Sequence, residues 1–555
     1  MISATYIFVK KVFFIIRSEG IELKKQNFIK GSIILMVSAA AAKVLGAVFK
    51  IPLTNMLGGV GMSYFSCAYS IFMPVYSLEV MGLSAAVARM TAQSAALGMY
   101  ENVRRIRRTA LLLFSAAGLA GSLLILLLAV PFSVYTVGNT DGAAAAAMIA
   151  PAVLFGCITA VERGCYEGMS NMYPTAVSQL AEGAVKAAAG LLLCGYVSSH
   201  PRTVMGIFPF ITDIRGAAAA AGIAGVTLST AASALFFAVL RLFDRGRGGG
   251  EQYVQSRREI GKQLLLTALP VGAGAVVTNL TALIDMWTVI GCISFFGYGG
   301  EAPAGVSAAE LPSFIYGSFA GIALTVFNLV PSVTNMLGKG ALTCITSARE
   351  SGDRSAMERG AMQALVTSAA ISVPSAVGLG VMAKEVLGVL YPMQSDEVAV
   401  CIAPLRWLMA GMVCLCISYP LFSMLQAVGK PSVPLKIMLL GTAVKLLGNL
   451  LLIPFMGASG AAASTSLCYA VILLLAFRSY HKATGLRLRL APFGKVLYSG
   501  AMCGGTAYLV RAAADRGGAS PAAVLSASVI SGGVVYVFCI RGLLVRLRRR
   551  SAASA

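Results

Sequence analysis

Apolar residues along this chain gather into long windows separated by short polar or basic stretches. The hydrocarbon core of a bilayer, roughly 30 Å thick, needs about 20 apolar residues per helix. Windows of about that length follow one another near 29–52, 62–97, 109–132, 146–167, 175–198, 217–242, 262–290, 313–336, 360–384, 401–425, 434–455, 457–477, 494–513 and 521–543. The pattern predicts fourteen spans. The second is long enough to bend at Pro74 or Gly82, and Pro270, Pro331, Pro374 and Pro420 are compatible with bends in others.

The positions of the lysines and arginines test that count. With a cytoplasmic N-terminus, 33 of the 44 fall on the inner side, 6 on the outer side and 5 within spans. A missed or extra span would mix the two sides downstream, so the asymmetry supports both ends lying inside. Composition agrees: 57% of residues are hydrophobic and 12% charged, against about 25% charged in soluble proteins, and the mean hydropathy is +0.80. The net charge of +22 therefore reads as topology, not as nucleic-acid binding. The class is an all-α polytopic membrane protein.

Little in the chain points to catalysis. The 12 cysteines are scattered without CxxC spacing, and His200 and His481 fall in predicted loops, so no metal or cofactor site is expected. Hydrolase, zincin and P-loop motifs are missing from the sequence, which favours a transporter over an enzyme. Residues 1–27 carry Lys10, Lys11 and Arg17 within their apolar runs, and read as a basic extension and not as a signal peptide.

An internal repeat organises the rest. APAVLFGCITAVERGCYEGMSNMYPTAVSQLAEGAVKAAAGLLL in the first half has a counterpart in APLRWLMAGMVCLCISYPLFSMLQAVGKPSVPLKIMLLGTAVKLLGNLLL in the second. Each begins with Ala-Pro, turns through a Gly/Pro-containing loop and returns through a helix with one lysine, Lys186 or Lys445. Two parallel repeats imply two pseudo-symmetric six-helix lobes. The expected division is a first lobe over 28–242, a cytoplasmic linker over 243–261, a second lobe over 262–477, and two further helices with a basic tail over 478–555.

Charges inside the membrane are costly, about 2.5–3.5 kcal/mol even on lenient scales, and usually face a cavity or a partner. Lys43 sits about thirteen residues into its span, roughly 20 Å along at the helical rise. Lys50 follows seven residues later, close to two turns, so both lie on one face. A cavity wall explains the pair; snorkelling to the nearer interface is the alternative, above all for Lys50. Arg89, Lys186, Arg406 and Lys445 extend the pattern, with Asn449 as a polar neighbour of Lys445. Glu182, four residues before Lys186, is placed to neutralise it, and Arg89 and Arg406 could equally be interface anchors. Glu79 and Asp285 are the deep acids, able to pair with a cavity cation or to couple transport to a proton or sodium gradient.

Three segments carry a family likeness: KGSIILMVSAAAAKVLGAVFKIPLTNMLG, RGCYEGMSNMYPTAVSQLAEGAVKAAAGLLL and LQAVGKPSVPLKIMLLGTAVKLLGNLLL. With them the chain resembles the polysaccharide biosynthesis branch of the multidrug/oligosaccharidyl-lipid/polysaccharide exporter superfamily, the branch of stage V sporulation protein B and its relatives. The resemblance implies two six-helix lobes around a central cavity plus two C-terminal helices, alternating access, and outward export of a lipid-linked saccharide. Related lipid II flippases carry basic residues in a KVLG-like stretch of the first helix, similar in placement to Lys43 and Lys50. They also carry a basic pair in the second helix, where this chain reads YSLEVMGLS with Glu79. The expected cargo is an anionic polyprenyl pyrophosphate sugar, with membrane lipids as the other partner. A multidrug exporter of organic cations is the alternative, expected to favour acidic and aromatic cavity residues.

Overall fold

The computed structural model describes residues 28–202, 213–243, 255–299, 303, 306–350, 353–430, 432–485, 491–516 and 520–552. The basic extension 1–27 and most of the linker, 244–254, lie outside the described residues. No strand occurs among the described residues.

Helix α1 (Phe28–Tyr76) runs through a π-helical turn (Ser77–Met81) into α2 (Gly82–Ala96). The first half of the chain continues with α3 (Tyr100–Val137), α4 (Asp141–Ile149), α5 (Pro151–Gly168), α6 (Tyr173–Ser199) and α7 (Ile214–Phe243). The second half of the chain comprises α8 (Arg257–Phe296), α9 (Leu311–Ser318), a second π-helical turn (Phe319–Ala323), α10 (Leu324–Glu350), α11 (Arg354–Val381), α12 (Ala383–Leu390), α13 (Ser395–Ala427), α14 (Ser432–Met456) and α15 (Ala458–Thr484). Helices α16 (Ala491–Arg516) and α17 (Pro521–Ala552) follow.

Twelve helical stretches among the described residues are long and apolar enough to cross a membrane. The first of them, Val37–Ala96, is 60 residues, long enough for two crossings, and α16, outside the twelve, packs against α11 and α17. Sequence reading puts a loop between windows ending at 52 and beginning at 62. The backbone instead stays helical and breaks at one residue, Gly58, with φ 65° and ψ −174°. Glycine lacks the Cβ that makes this left-handed region costly, so a Gly-Gly pair turns the chain without a loop. The bend expected near Pro74 or Gly82 falls between them, as the Ser77–Met81 π turn.

Small residues set how closely the helices approach. Lipid tails are as apolar as leucine, so helix association in a bilayer rests on close packing. A Cβ on Gly225 of α7 would clash with the Gly190 backbone on α6, and one on Gly82 with the Ala268 carbonyl on α8. Helix α3 shows the two faces: Phe114, Gly118, Gly121 and Ile125 are buried, while Leu112, Leu119, Leu123 and Leu127 are exposed, the side suited to lipid. Caps mark two helix starts: Ser256 accepts the Glu259 amide at 3.2 Å, and Asp353 accepts the Ala356 amide at 2.9 Å.

Candidate functional site

A cavity of about 370 Å³ lies where the two halves of the chain meet. The first half contributes Phe49, Lys50, Tyr69 and Lys186, and the second contributes Asn279, Tyr316, Ala320 and Asn328. Two of the expected cations are therefore on one wall system. Lys50 donates to the Ala320 carbonyl at 3.1 Å, in the second π turn, and Thr54 and Tyr391 reach the next carbonyl, that of Gly321, at 3.5 and 3.4 Å. Widened turns of this kind free carbonyls for side-chain partners and recur at functional sites.

Lys186 does not pair with Glu182 as the i, i+4 spacing suggests. Glu182 accepts from Arg163 of α5 at 2.8 Å, which also donates to Ser178 and Ser233, so a neighbouring helix takes the acid first. Lys186 turns the other way and donates to the Tyr69 hydroxyl at 3.0 Å, with its ammonium 5.3 Å from the Phe49 ring centroid. Among the described residues neither cavity lysine hydrogen-bonds a carboxylate; a carbonyl and a phenol hold them.

The remaining candidates lie elsewhere. Lys43 is exposed on the same helical face as Lys50, two turns toward the N-terminal end. Arg89 is exposed at the middle of α2, and Arg406 is exposed beside Trp407 on α13, so neither joins the cavity lining. Lys445 and Asp285, expected in separate roles, form one pair: Nζ to Oδ2 is 2.7 Å, with side chains 4% and 3% exposed. Asn449 donates to Asp285 at 3.1 Å and to Thr288 at 2.8 Å. Lys445 is thus not an unpaired cation, because α8 brings an acid that its own helix lacks. Glu79 points away from the cavity, packed on Gly121 of α3, with the Cys157 thiol 3.7 Å away.

Polar contacts also join the halves at the Gly58 end. The Glu397 carboxylate accepts the Gly59 amide at 3.0 Å; Gln394 donates to the Asn55 carbonyl at 2.8 Å, and Asn55 to the Leu390 carbonyl at 3.0 Å. Arg215, held by Asp213 at 2.8 Å, bridges to Glu310. Sequence spacing gives no hint of this seam, since its partners lie far apart in the chain.

The polysaccharide biosynthesis protein family model matches residues 28–325, more than half of the chain. The chain belongs to that family. Residues 314–519 match the lipid II flippase MurJ family model. Stage V sporulation protein B of Bacillus subtilis strain 168 is 24% identical over 95% of this chain and 97% of its own length. Lipid II flippase MurJ of the same organism is 21% identical over 92% and 95%. Among solved structures, an inward closed conformation of lipid II flippase MurJ superposes with a TM-score of 0.67 at 14% identity, covering 93% of this chain and all of that one. An inward-facing MATE family multidrug resistance transporter superposes at 0.61, with 14% identity and 82% and 98% coverage. The chain is a multi-pass membrane protein with the all-helical fold of these flippases and transporters.

Proposed function

We propose that this protein flips a lipid-linked saccharide bearing a polyprenyl pyrophosphate outward across a bacterial cytoplasmic membrane by alternating access. The observation that carries the reading is the cavity between the lobes, walled by Lys50 and Lys186 with neutral partners. A multiply charged headgroup crossing hydrocarbon needs counter-charge, and lysine supplies it as a mobile point charge that can also release phosphate. Lys43 extends the same face toward the inner side, where the headgroup enters. Arg89 and Arg406 act nearer the interfaces, and Lys445 with Asn449 acts on the cavity from behind, through its bond to Asp285.

In this reading residues 28–242 and 262–477 rock against each other, residues 478–555 ride with the second lobe, and both termini are cytoplasmic, as the basic inner loops support. Glu79 is the better coupling acid for a proton or sodium gradient, because no lysine or arginine pairs with it among the described residues, whereas Asp285 is already neutralised by Lys445.

The test is translocation of a labelled lipid-linked saccharide in proteoliposomes. Lys50→Ala with Lys186→Ala abolishes it if the reading holds. Wild-type rates in that double variant overturn it, and transport of an organic cation dye without response to the lipid-linked sugar replaces it with drug export.

A further inference from the structure

Lys186 is fixed more firmly than a cavity lysine needs to be. Besides the 3.0 Å bond to the Tyr69 hydroxyl, its ammonium lies 5.3 Å and 5.6 Å from the ring centroids of Phe49 and Tyr69. Both rings are themselves held. Tyr69 sits 5.0 Å from the Phe65 ring and 6.2 Å from the Phe72 ring. Phe49 rests on Gly190, one turn beyond Lys186 on α6, where a Cβ would come within 2.6 Å of it. The glycine lets the ring slide beneath the ammonium.

A free lysine carries about 2 kcal/mol of rotamer entropy that ligand binding has to remove. Here aromatic faces and a hydroxyl have removed much of it beforehand. An ammonium has three N–H donors; one goes to Tyr69 and two are left for a ligand. Tyr69 accepts from Lys186, so its own O–H remains a further donor beside the cavity. Lys50 supplies the second cationic point from α1, itself steadied by a neutral carbonyl.

We infer that Tyr69 and Phe49 are positioning residues, which fix Lys186 relative to Lys50 so that the cavity selects a lipid diphosphate over a lipid monophosphate. The inference rests on the proposed reading of this cavity as the site of the anionic headgroup. A diphosphate has two anionic centres and engages both ammonium groups at once. A monophosphate has one, and gains little from the second lysine being held in place.

The experiment uses the full chain in lipid nanodiscs, titrated with a polyprenyl diphosphate and with the corresponding monophosphate, bound lipid being counted by native mass spectrometry. The wild type prefers the diphosphate about tenfold or more. Tyr69→Phe lowers that preference about fivefold, the scale of one hydrogen bond, and an unchanged thermal unfolding midpoint shows that the variant is folded. Phe49→Leu lowers it in the same sense without touching a polar group. A wild-type preference in both variants overturns the positioning role while leaving the cavity reading intact. Undiminished binding of both lipids by Lys50→Met and Lys186→Met removes the cavity reading itself.

Discussion

Lys186 and Lys445 occupy matching places in the two halves of the internal repeat, and they end in opposite surroundings. Lys186 looks into the cavity between the lobes, beside a phenol and two aromatic faces. Lys445 is buried against Asp285, with Asn449 and Thr288 completing the cluster. The neighbouring span decides the difference: α1 offers Tyr69 and Phe49 to one lysine, and α8 offers a carboxylate to the other. Repetition fixes where a lysine stands, while its charge is free for a ligand only in the lobe that withholds an acid.

The largest effect expected from breaking this contrast is on folding. Asp285→Leu strands a buried ammonium, and removing one member of a buried pair costs about 3–5 kcal/mol. Thermal unfolding in detergent should fall sharply, and the double replacement Asp285→Leu with Lys445→Leu should recover most of the loss. A single variant as stable as the wild type would falsify the pair's role. Next comes transport: Lys186→Met leaves no uncompensated charge, so it should change stability by less than about 1 kcal/mol. Translocation should still fall by about tenfold or more, the scale of charge-assisted hydrogen bonds. Equal loss of fold in the two lysine variants would erase the distinction.

A smaller shift is expected at the Gly58 seam. Glu397→Ala removes the acceptor for the Gly59 amide, worth about 1–3 kcal/mol for a buried donor left unpaired. The population with the lobes parted at that end should grow about fivefold or more. Spin labels at Thr140 and Ala308, both exposed there, report it as a longer distance component; an unchanged distance distribution contradicts a holding role for Glu397. Smallest is Glu79→Gln. With no lysine or arginine paired to Glu79 among the described residues, it should alter stability by less than about 1 kcal/mol, while changing how transport responds to an imposed gradient. A loss of stability like that of Asp285→Leu would mean that the two acids are alike after all.

Spans were legible in the sequence because each depends on its own composition, and the charge asymmetry checked their order. The two cavity lysines were legible for the same reason: Lys50 and Lys186 are conspicuous in apolar windows. Their partners were not. Glu182 looked like the natural mate of Lys186 by helical spacing, yet Arg163 reaches it from the next helix. Tyr69, 117 residues from Lys186, and Asp285, 160 from Lys445, meet them only through packing. Gly58 carried a usable signal in its Gly-Gly pair, which a reading based on apolar windows treats as loop.

The separation of Asp285 from Lys445 has a bearing on how the chain is made. Synthesis proceeds from the N-terminus at about 5–20 residues per second, so α8 waits roughly 8–30 s for its partner to leave the ribosome. Throughout that interval its carboxylate is an unmatched group in a newly inserted helix, and nascent chains arrested before residue 432 should be degraded faster than those arrested after residue 484. Delivery of α14 then does more than add another helix, because Lys445 closes a charge that the membrane has been carrying since the middle of translation.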